Sequence, residues 1–252
     1  MPKVNYGHKA WFEDQYRGSA QDPWGLDWRP SQEMRYERKV RLLSKMTEGR
    51  SNLSVLDIGC ATGIFTHKLE VALGERCRRI IGCDFSEQAI ERARARYPEI
   101  EFEISSLEEC SERYAGSIDV VSFLEVFYYI DDEKRREALR SLKNLLTDDG
   151  IVLISSMVAK PPYLTAAELR ARVAEEFDIL EVGEMHLKVL STLEKTALKA
   201  SKLMGVKDSR ALKWLSRSIS PPRAGKIEQI SRRLFGTASV SNAFVVAKKP
   251  SG

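Results

Sequence analysis

Asp57, Gly59, Ala61 and Gly63, within VLDIGCATGIF from Val55 to Phe65, and Asp84, which closes the strand of IIGCDFS, are the residues whose types and spacing point to chemistry. The apolar run Leu53 to Ile58 predicts a buried strand ending in a small-residue turn, and Thr66 to Leu73 predicts the helix beyond it. About 20 residues past the turn a second apolar strand ends in Asp84. In a doubly wound sheet the carboxyl ends of adjacent strands open on one crevice. Asp84 is then placed to hydrogen-bond ribose hydroxyls while the turn holds the rest of a nucleoside ligand.

Departures from the dinucleotide fingerprint narrow the ligand. G-x-G-x-x-G brings the backbone and a helix N-terminus against a pyrophosphate, but here Gly59, Ala61 and Ile64 take those three places. The pattern is acidic-x-Gly-x-small-x-Gly, with Asp57 two residues before Gly59 and Gly63 closing the turn. A carboxylate beside the loop repels pyrophosphate and suits a cation, an ammonium or a sulfonium.

These residues resemble the S-adenosyl-L-methionine (SAM) site of the class I methyltransferases, and the resemblance runs from Leu53 to Ser156. EFEISS at Glu101 to Ser106 is similar to the third strand, IDVVSFLEVFYYI at Ile118 to Ile130 to the fourth strand and its loop, and DDGIVLISS at Asp148 to Ser156 to the turn and fifth strand. The resemblance implies a cofactor pocket of Asp57, Gly59, Cys60, Ala61, Gly63, Asp84, Phe85, Ser106, Leu107 and Leu124, with S-adenosyl-L-homocysteine as the product. Alanine at 61 replaces a usual glycine, and Ser106 stands where many members carry an aspartate near the adenine amino group. DPW at Asp22 to Trp24, the Arg38-Lys39 pair and EVFYYI at Glu125 to Ile130 resemble the nodulation protein S (NodS)-like methyltransferases, which N-methylate an amino sugar of a chitooligosaccharide.

The reacting end falls after the fourth strand. Glu125 is positioned to orient or deprotonate an amine, and Tyr128 and Tyr129 to place it through hydroxyls and ring faces, with core packing as the other reading of the tyrosines. His186, beyond the sixth strand, is a second candidate base; His8 and His67 rank below it. Four cysteines without C-x-x-C spacing or clustered histidines argue against a zinc site, and no metal is expected.

Positioning these residues requires an α/β fold: a Rossmann-like, doubly wound, seven-stranded, mostly parallel sheet. Helices are expected at Ser86 to Tyr97, capped by Ser86, at Asp131 to Leu146 and at Ala166 to Phe177. A sixth strand is expected at Asp178 to Gly183 and a last strand at Asn242 to Lys248, which the resemblance implies is antiparallel and at the sheet edge. Residues 1–50, rich in Trp11, Phe12, Tyr16, Trp24, Trp28 and Tyr36, read as an N-terminal helical lid, broken at Gln21 to Pro30. Residues 51–190 and 239–252 read as the SAM-binding domain, and 191–238 as a helical insertion.

The chain has 252 residues and a net charge of +4. The insertion alone carries eleven Lys or Arg against three Asp or Glu, so a basic piece rides on a mildly acidic core. Leu193, Ala197, Ala200 and Met204, then Leu212, Leu215 and Ile219 beside Trp214, recur at helical spacing. Three readings stand open: a cap packed on the sheet, a cap attracting an anionic acceptor, or a surface for anionic lipid headgroups or RNA. No run is long enough to span a bilayer and the start lacks the apolar core of a secretion signal, so a cytoplasmic location is expected.

The function expected is SAM-dependent methylation of a small molecule or sugar conjugate at nitrogen. An O-methyltransferase of a sugar or natural product is the alternative, and a non-catalytic SAM-binding or regulatory subunit is the rival from another class. A nucleic-acid acceptor is disfavoured because FLEVFYY lacks the Asn/Asp-Pro-Pro-aromatic motif.

Overall fold

The computed structural model describes residues 9–17, 24–26, 28–159, 163–203 and 221–250. Seven strands form one sheet: β1 (Leu53–Ile58), β2 (Cys77–Asp84), β3 (Glu101–Ile104), β4 (Ile118–Leu124), β5 (Leu146–Met157), β6 (Asp178–Met185) and β7 (Asn242–Lys248). Their spatial order is β3-β2-β1-β4-β5-β7-β6. β1 is buried along its whole length because both its faces carry helices, which is why its sequence is a continuous apolar run. β1 pairs in parallel with β2 and β4, so Ile58, Asp84 and Leu124 all end on one edge.

β7 runs antiparallel to both of its neighbours, as expected. It does not lie at the edge: it is inserted between β5 and β6, and β6 is the edge strand. β7 is apolar on both faces and buried through Ala247, whereas Leu180 and Val182 of β6 are exposed. The strand with the more apolar sequence takes the interior place.

Crossover helices α3 (Ile64–Leu73), α4 (Glu87–Arg96), α5 (Leu107–Arg113), α6 (Asp132–Leu145) and α7 (Ala166–Ala174) divide between the two faces. Their starts are chemically marked. The Ser86 side chain accepts the Ala89 amide to open α4, while Ser106 with Glu109 and Thr165 with Glu168 form reciprocal caps on α5 and α7.

The first helices make the cover. α1 (Lys9–Arg17) lies on α4, where Glu13 accepts the Glu87 amide at 2.8 Å and Arg92 donates to the Tyr16 carbonyl. α2 (Pro30–Met46) packs on α3 and, on its other flank, on two helices of the basic insertion, α8 (Lys188–Leu203) and α9 (Pro221–Phe235).

Those contacts are ionic as much as apolar. Glu194 of α8, buried, accepts from Arg29 Nε at 2.9 Å and from the Ser31 amide and hydroxyl at 2.7 and 2.6 Å. Glu228 of α9 takes both terminal nitrogens of Arg38, at 3.1 and 2.6 Å. Leu193 was expected on the buried stripe but is 56% exposed, because α8 turns Leu190 and Glu194 inward to meet the start of α2. Met204 and the stripe from Leu212 to Ile219 lie outside the described residues. No described helix is long and apolar enough to cross a membrane.

Candidate functional site

The turn after β1 is built by three consecutive positive backbone angles at alternate residues: Gly59 (φ 75°), Ala61 (φ 51°) and Gly63 (φ 75°). Alanine at the middle place adopts a conformation that suits glycine, at a cost of about 1 kcal/mol. The Gly59 and Cys60 amides donate to the Cys83 carbonyl at 2.7 and 3.0 Å, tying the turn to the end of β2. A side chain on Gly59 would sit 2.3 Å from Val126 Cγ2, and one on Gly63 would sit 2.5 Å from the Phe102 ring.

Asp84 is the hub. One carboxylate oxygen accepts the Ala61 amide at 3.0 Å and the other accepts the Ser86 amide at 2.9 Å. Burial raises its pKa to about 6, and the two amides oppose the rise. Asp57 is raised to about 6 by burial as well, against the hydroxyls of Ser122 and Thr66, each donating at 2.6 Å. Asp57 therefore does two jobs: it knits β1 to β4 and α3 and it places a carboxylate beside the turn.

A cavity of about 640 Å³ opens above this hub at the carboxyl edge of the sheet. Of the residues the sequence assigned to the cofactor, Asp57, Gly59, Cys60, Ala61, Asp84, Phe85, Ser106, Leu107 and Leu124 line it. Gly63 does not; it caps α3 in the left-handed conformation and makes room for Phe102. Ser106 lines the cavity, but its side chain is engaged in capping α5. Burial beside Asp84 and Asp57 pushes the Cys60 thiol well above its ordinary value, which favours the protonated form.

The same cavity reaches Glu125, Tyr128 and Tyr129. Tyr129 stacks edge-on with Phe12 of α1, and Phe12 meets Phe85, so α1 packs over this part of the cavity through rings. Trp24 adds to this wall and donates from Nε1 to the Tyr16 hydroxyl at 3.3 Å. Tyr128 is buried against Tyr163 and Tyr129, and burial drives its phenol well above the ordinary range.

Glu125 is fixed through its backbone and through one carboxylate oxygen. Its backbone is left-handed (φ 61°) and its amide donates to the Ser155 carbonyl at 3.0 Å. Its Oε1 accepts from Lys39 Nζ at 3.3 Å, Ser155 Oγ at 2.9 Å and Asn242 Nδ2 at 2.5 Å. Burial alone would raise its carboxyl, but the charges of Lys39 and Arg35 with the Ser155 and Asn242 bonds hold it below the usual carboxylate range. Lys39 is buried and brought down to about 8 by desolvation, against the pull of Glu125. Glu125 is thus held as a hydrogen-bond acceptor facing the cavity.

His186 is not brought to the cavity. Its Nδ1 meets Ser239 Oγ at 2.8 Å and the Gly236 carbonyl at 3.2 Å, beneath α9, and its backbone amide donates to Glu228. His67 stacks on Tyr97 at 4.4 Å, away from the lining, and His8 lies outside the described residues.

Sequence reading missed Gln32, Arg35 and Lys39. They recur three and four residues apart on one face of α2, and that face is the buried one. A polar stripe facing inward was the available signal, and it became visible only once burial was known.

The sheet order and a nucleoside-sized cavity on an acidic hub define a class I methyltransferase fold, and the residues fit a nucleoside that carries a cationic sulfur. A methyltransferase domain family model matches residues 50–215. Nodulation protein S of Rhizobium tropici is 30% identical over 178 residues, covering 68% of this chain and 71% of that protein. Nodulation protein S of Sinorhizobium fredii (strain NBRC 101917 / NGR234) is 30% identical over 144 residues, covering 56% of this chain and 62% of that one. Among solved structures, the N-methyltransferase NodS from Bradyrhizobium japonicum WM9 superposes with a TM-score of 0.53 at 18% identity, covering 86% of this chain and 97% of that one. The chain belongs to the SAM-dependent methyltransferase family of class I fold, in its NodS-like group.

Proposed function

We propose that the chain transfers a methyl group from SAM to a nitrogen of a small-molecule or sugar-conjugate acceptor. The observation that carries this reading is the single cavity running from the Asp84 hub to an ionised, immobilised Glu125. When bound, the cofactor supplies a methyl group activated on a sulfonium. The chain's own residues orient, exclude water and stabilise charge. Asp84 accepts the ribose hydroxyls, and the Phe12, Trp24 and Tyr129 rings shut out solvent. Placing nucleophile and methyl carbon about 3 Å apart supplies much of the rate.

An amine acquires positive charge as its new bond forms. A carboxylate kept below its usual range stabilises that charge and orients the remaining N–H groups; Glu125 Oε2, buried and without a partner among the described residues, is the acceptor available for them. An oxygen acceptor needs a base instead. Glu125, held below the usual carboxylate range, suits the charge-stabilising role better than that of a base.

Incubation with methyl-labelled SAM and a panel of amino sugars, nucleotide sugars and phenols tests the proposal, with label expected on the amines. Label on phenols alone would make it an O-methyltransferase, and cofactor binding with no transfer to any of them would favour the non-catalytic reading. Glu125→Gln is expected to lower turnover about 100-fold while S-adenosylhomocysteine affinity changes little. Equal loss of both, in a variant that still melts cooperatively, would reassign Glu125 to cofactor binding.

A further inference from the structure

Helices α8 and α9 of the basic insertion sort their charges between two sides. Each carries one acidic residue, and both of these are turned inward: Glu194 is buried on Arg29 and Ser31, and Glu228 is buried on Arg38. The basic residues go the other way. On α8, Lys188, Lys195 and Lys199 are exposed and their spacing puts them on one face. On α9, Arg223, Lys226, Arg232 and Arg233 are exposed. The exposed carboxylates that precede them in sequence, Glu181 and Glu184, lie on β6 and not on the helices. The two helices pack on each other and on α2, and Lys188 Nζ donates to the Ala238 carbonyl at 3.2 Å, so the start of α8 adjoins the end of α9.

Apolar residues share that outer surface. Ile230 and Leu234 are 58% and 67% exposed, four residues apart and on the same side of α9 as Lys226 and Arg233; Phe235 and Leu193 are exposed as well. Half of the large apolar side chains exposed among the described residues therefore stand on these two helices, and the cavity takes no lining residue from either. Apolar side chains set among lysines and arginines suit a helix that lies in a membrane interface, where the cations meet headgroup phosphates and the apolar groups enter the acyl boundary. An RNA would use the cations and leave Ile230 and Leu234 in water. A second copy would bring like charges face to face.

We propose that the outer face of α8 and α9 docks the protein on an anionic phospholipid surface, with Lys226, Arg232 and Arg233 on the headgroup phosphates and Ile230, Leu234 and Phe235 at the acyl boundary. The proposal stands apart from the methyl-transfer reading, because no residue of that face lines the cavity.

Sedimentation of the full chain with vesicles tests it, using phosphatidylcholine alone and an equimolar mixture of phosphatidylcholine and phosphatidylglycerol, with polyuridylic acid titrated in parallel as a polyanion without lipid. Wild type is expected to bind the mixed vesicles, less as salt is raised, and to leave phosphatidylcholine alone. Arg232→Gln combined with Arg233→Gln removes two charges and is expected to lower partitioning about 30-fold. Ile230→Ser combined with Leu234→Ser keeps every charge and is expected to lower it about tenfold or more, with any polyuridylic acid binding unchanged. All four positions are exposed, and a cooperative melt at the wild-type temperature shows that each variant is folded; if one pair does not fold, the other carries the test. Wild type that ignores the mixed vesicles, or binds both kinds equally, would overturn the proposal. So would a folded Ile230→Ser, Leu234→Ser protein that binds the mixed vesicles as tightly as wild type, and tight polyuridylic acid binding in that case would make the face a polyanion site instead.

Discussion

At the scale of single residues, the behaviour of the site is set by where its carboxylates are buried and what faces them. Asp57 and Asp84 are both raised to about 6 by burial. Their unfolded values lie near 4, so between about pH 4 and pH 6 the folded state holds more protons than the unfolded one. Their contribution to stability therefore falls as pH rises through that window, and above it remains as a constant cost. On the proposed role of Asp84 as acceptor of the ribose hydroxyls, ligand binding runs the other way, because the ionised form is the one that accepts both. S-adenosylhomocysteine affinity is expected to hold between pH 8 and pH 7 and to fall below about pH 6, approaching tenfold per pH unit. Calorimetric titrations across that range check this, and an affinity flat down to about pH 5 would contradict it. Asp84 was legible in the sequence because its place at a strand end follows from spacing. The roles of Arg35 and Lys39 were not, because an arginine or lysine on a helix reads as solvated until its burial is seen.

Among the elements, α2 joins most of what matters. Its N-terminal turn docks on α8 through Glu194, its middle presents Gln32 and Arg35 to the cavity, and Lys39 reaches across to β4 and β5. The insertion thus braces the helix that forms one wall of the site. Glu194→Ala removes three hydrogen bonds to a buried carboxylate and is expected to destabilise the fold by about 3 kcal/mol. Urea unfolding measures this, and a loss under about 0.5 kcal/mol would mean that the insertion packs without bracing α2. Strand positions and the Ser86 cap were readable from period and capping residues, and the antiparallel direction of the last strand from the family resemblance. The place of β7 inside the sheet was not, since pairing partners depend on tertiary packing, and neither was the outward turn of Leu193, because the inward position at Glu194 is claimed by Arg29 and Ser31.

For the molecule as a whole, a parallel sheet supplies a fixed edge, and a two-helix cover of aromatic and basic residues turns that edge into an enclosed cavity. The first five strands and the acidic hub were foreseeable because five segments fall along the chain in one family's sequence. The cover was legible only as an aromatic-rich leader, since which ring meets which depends on how α1 and α2 cross the sheet. Both parts serve one claim, that the cavity is built around SAM with Asp84 as its anchor. The most direct test is calorimetric binding of S-adenosylhomocysteine to wild type and to Asp84→Ala at about pH 7.5, where Asp84 is ionised. The account predicts a clear binding isotherm for wild type and a loss of about 10- to 100-fold for the variant with its cooperative melt retained. No binding to wild type, or a folded Asp84→Ala that binds as tightly as wild type, would contradict it.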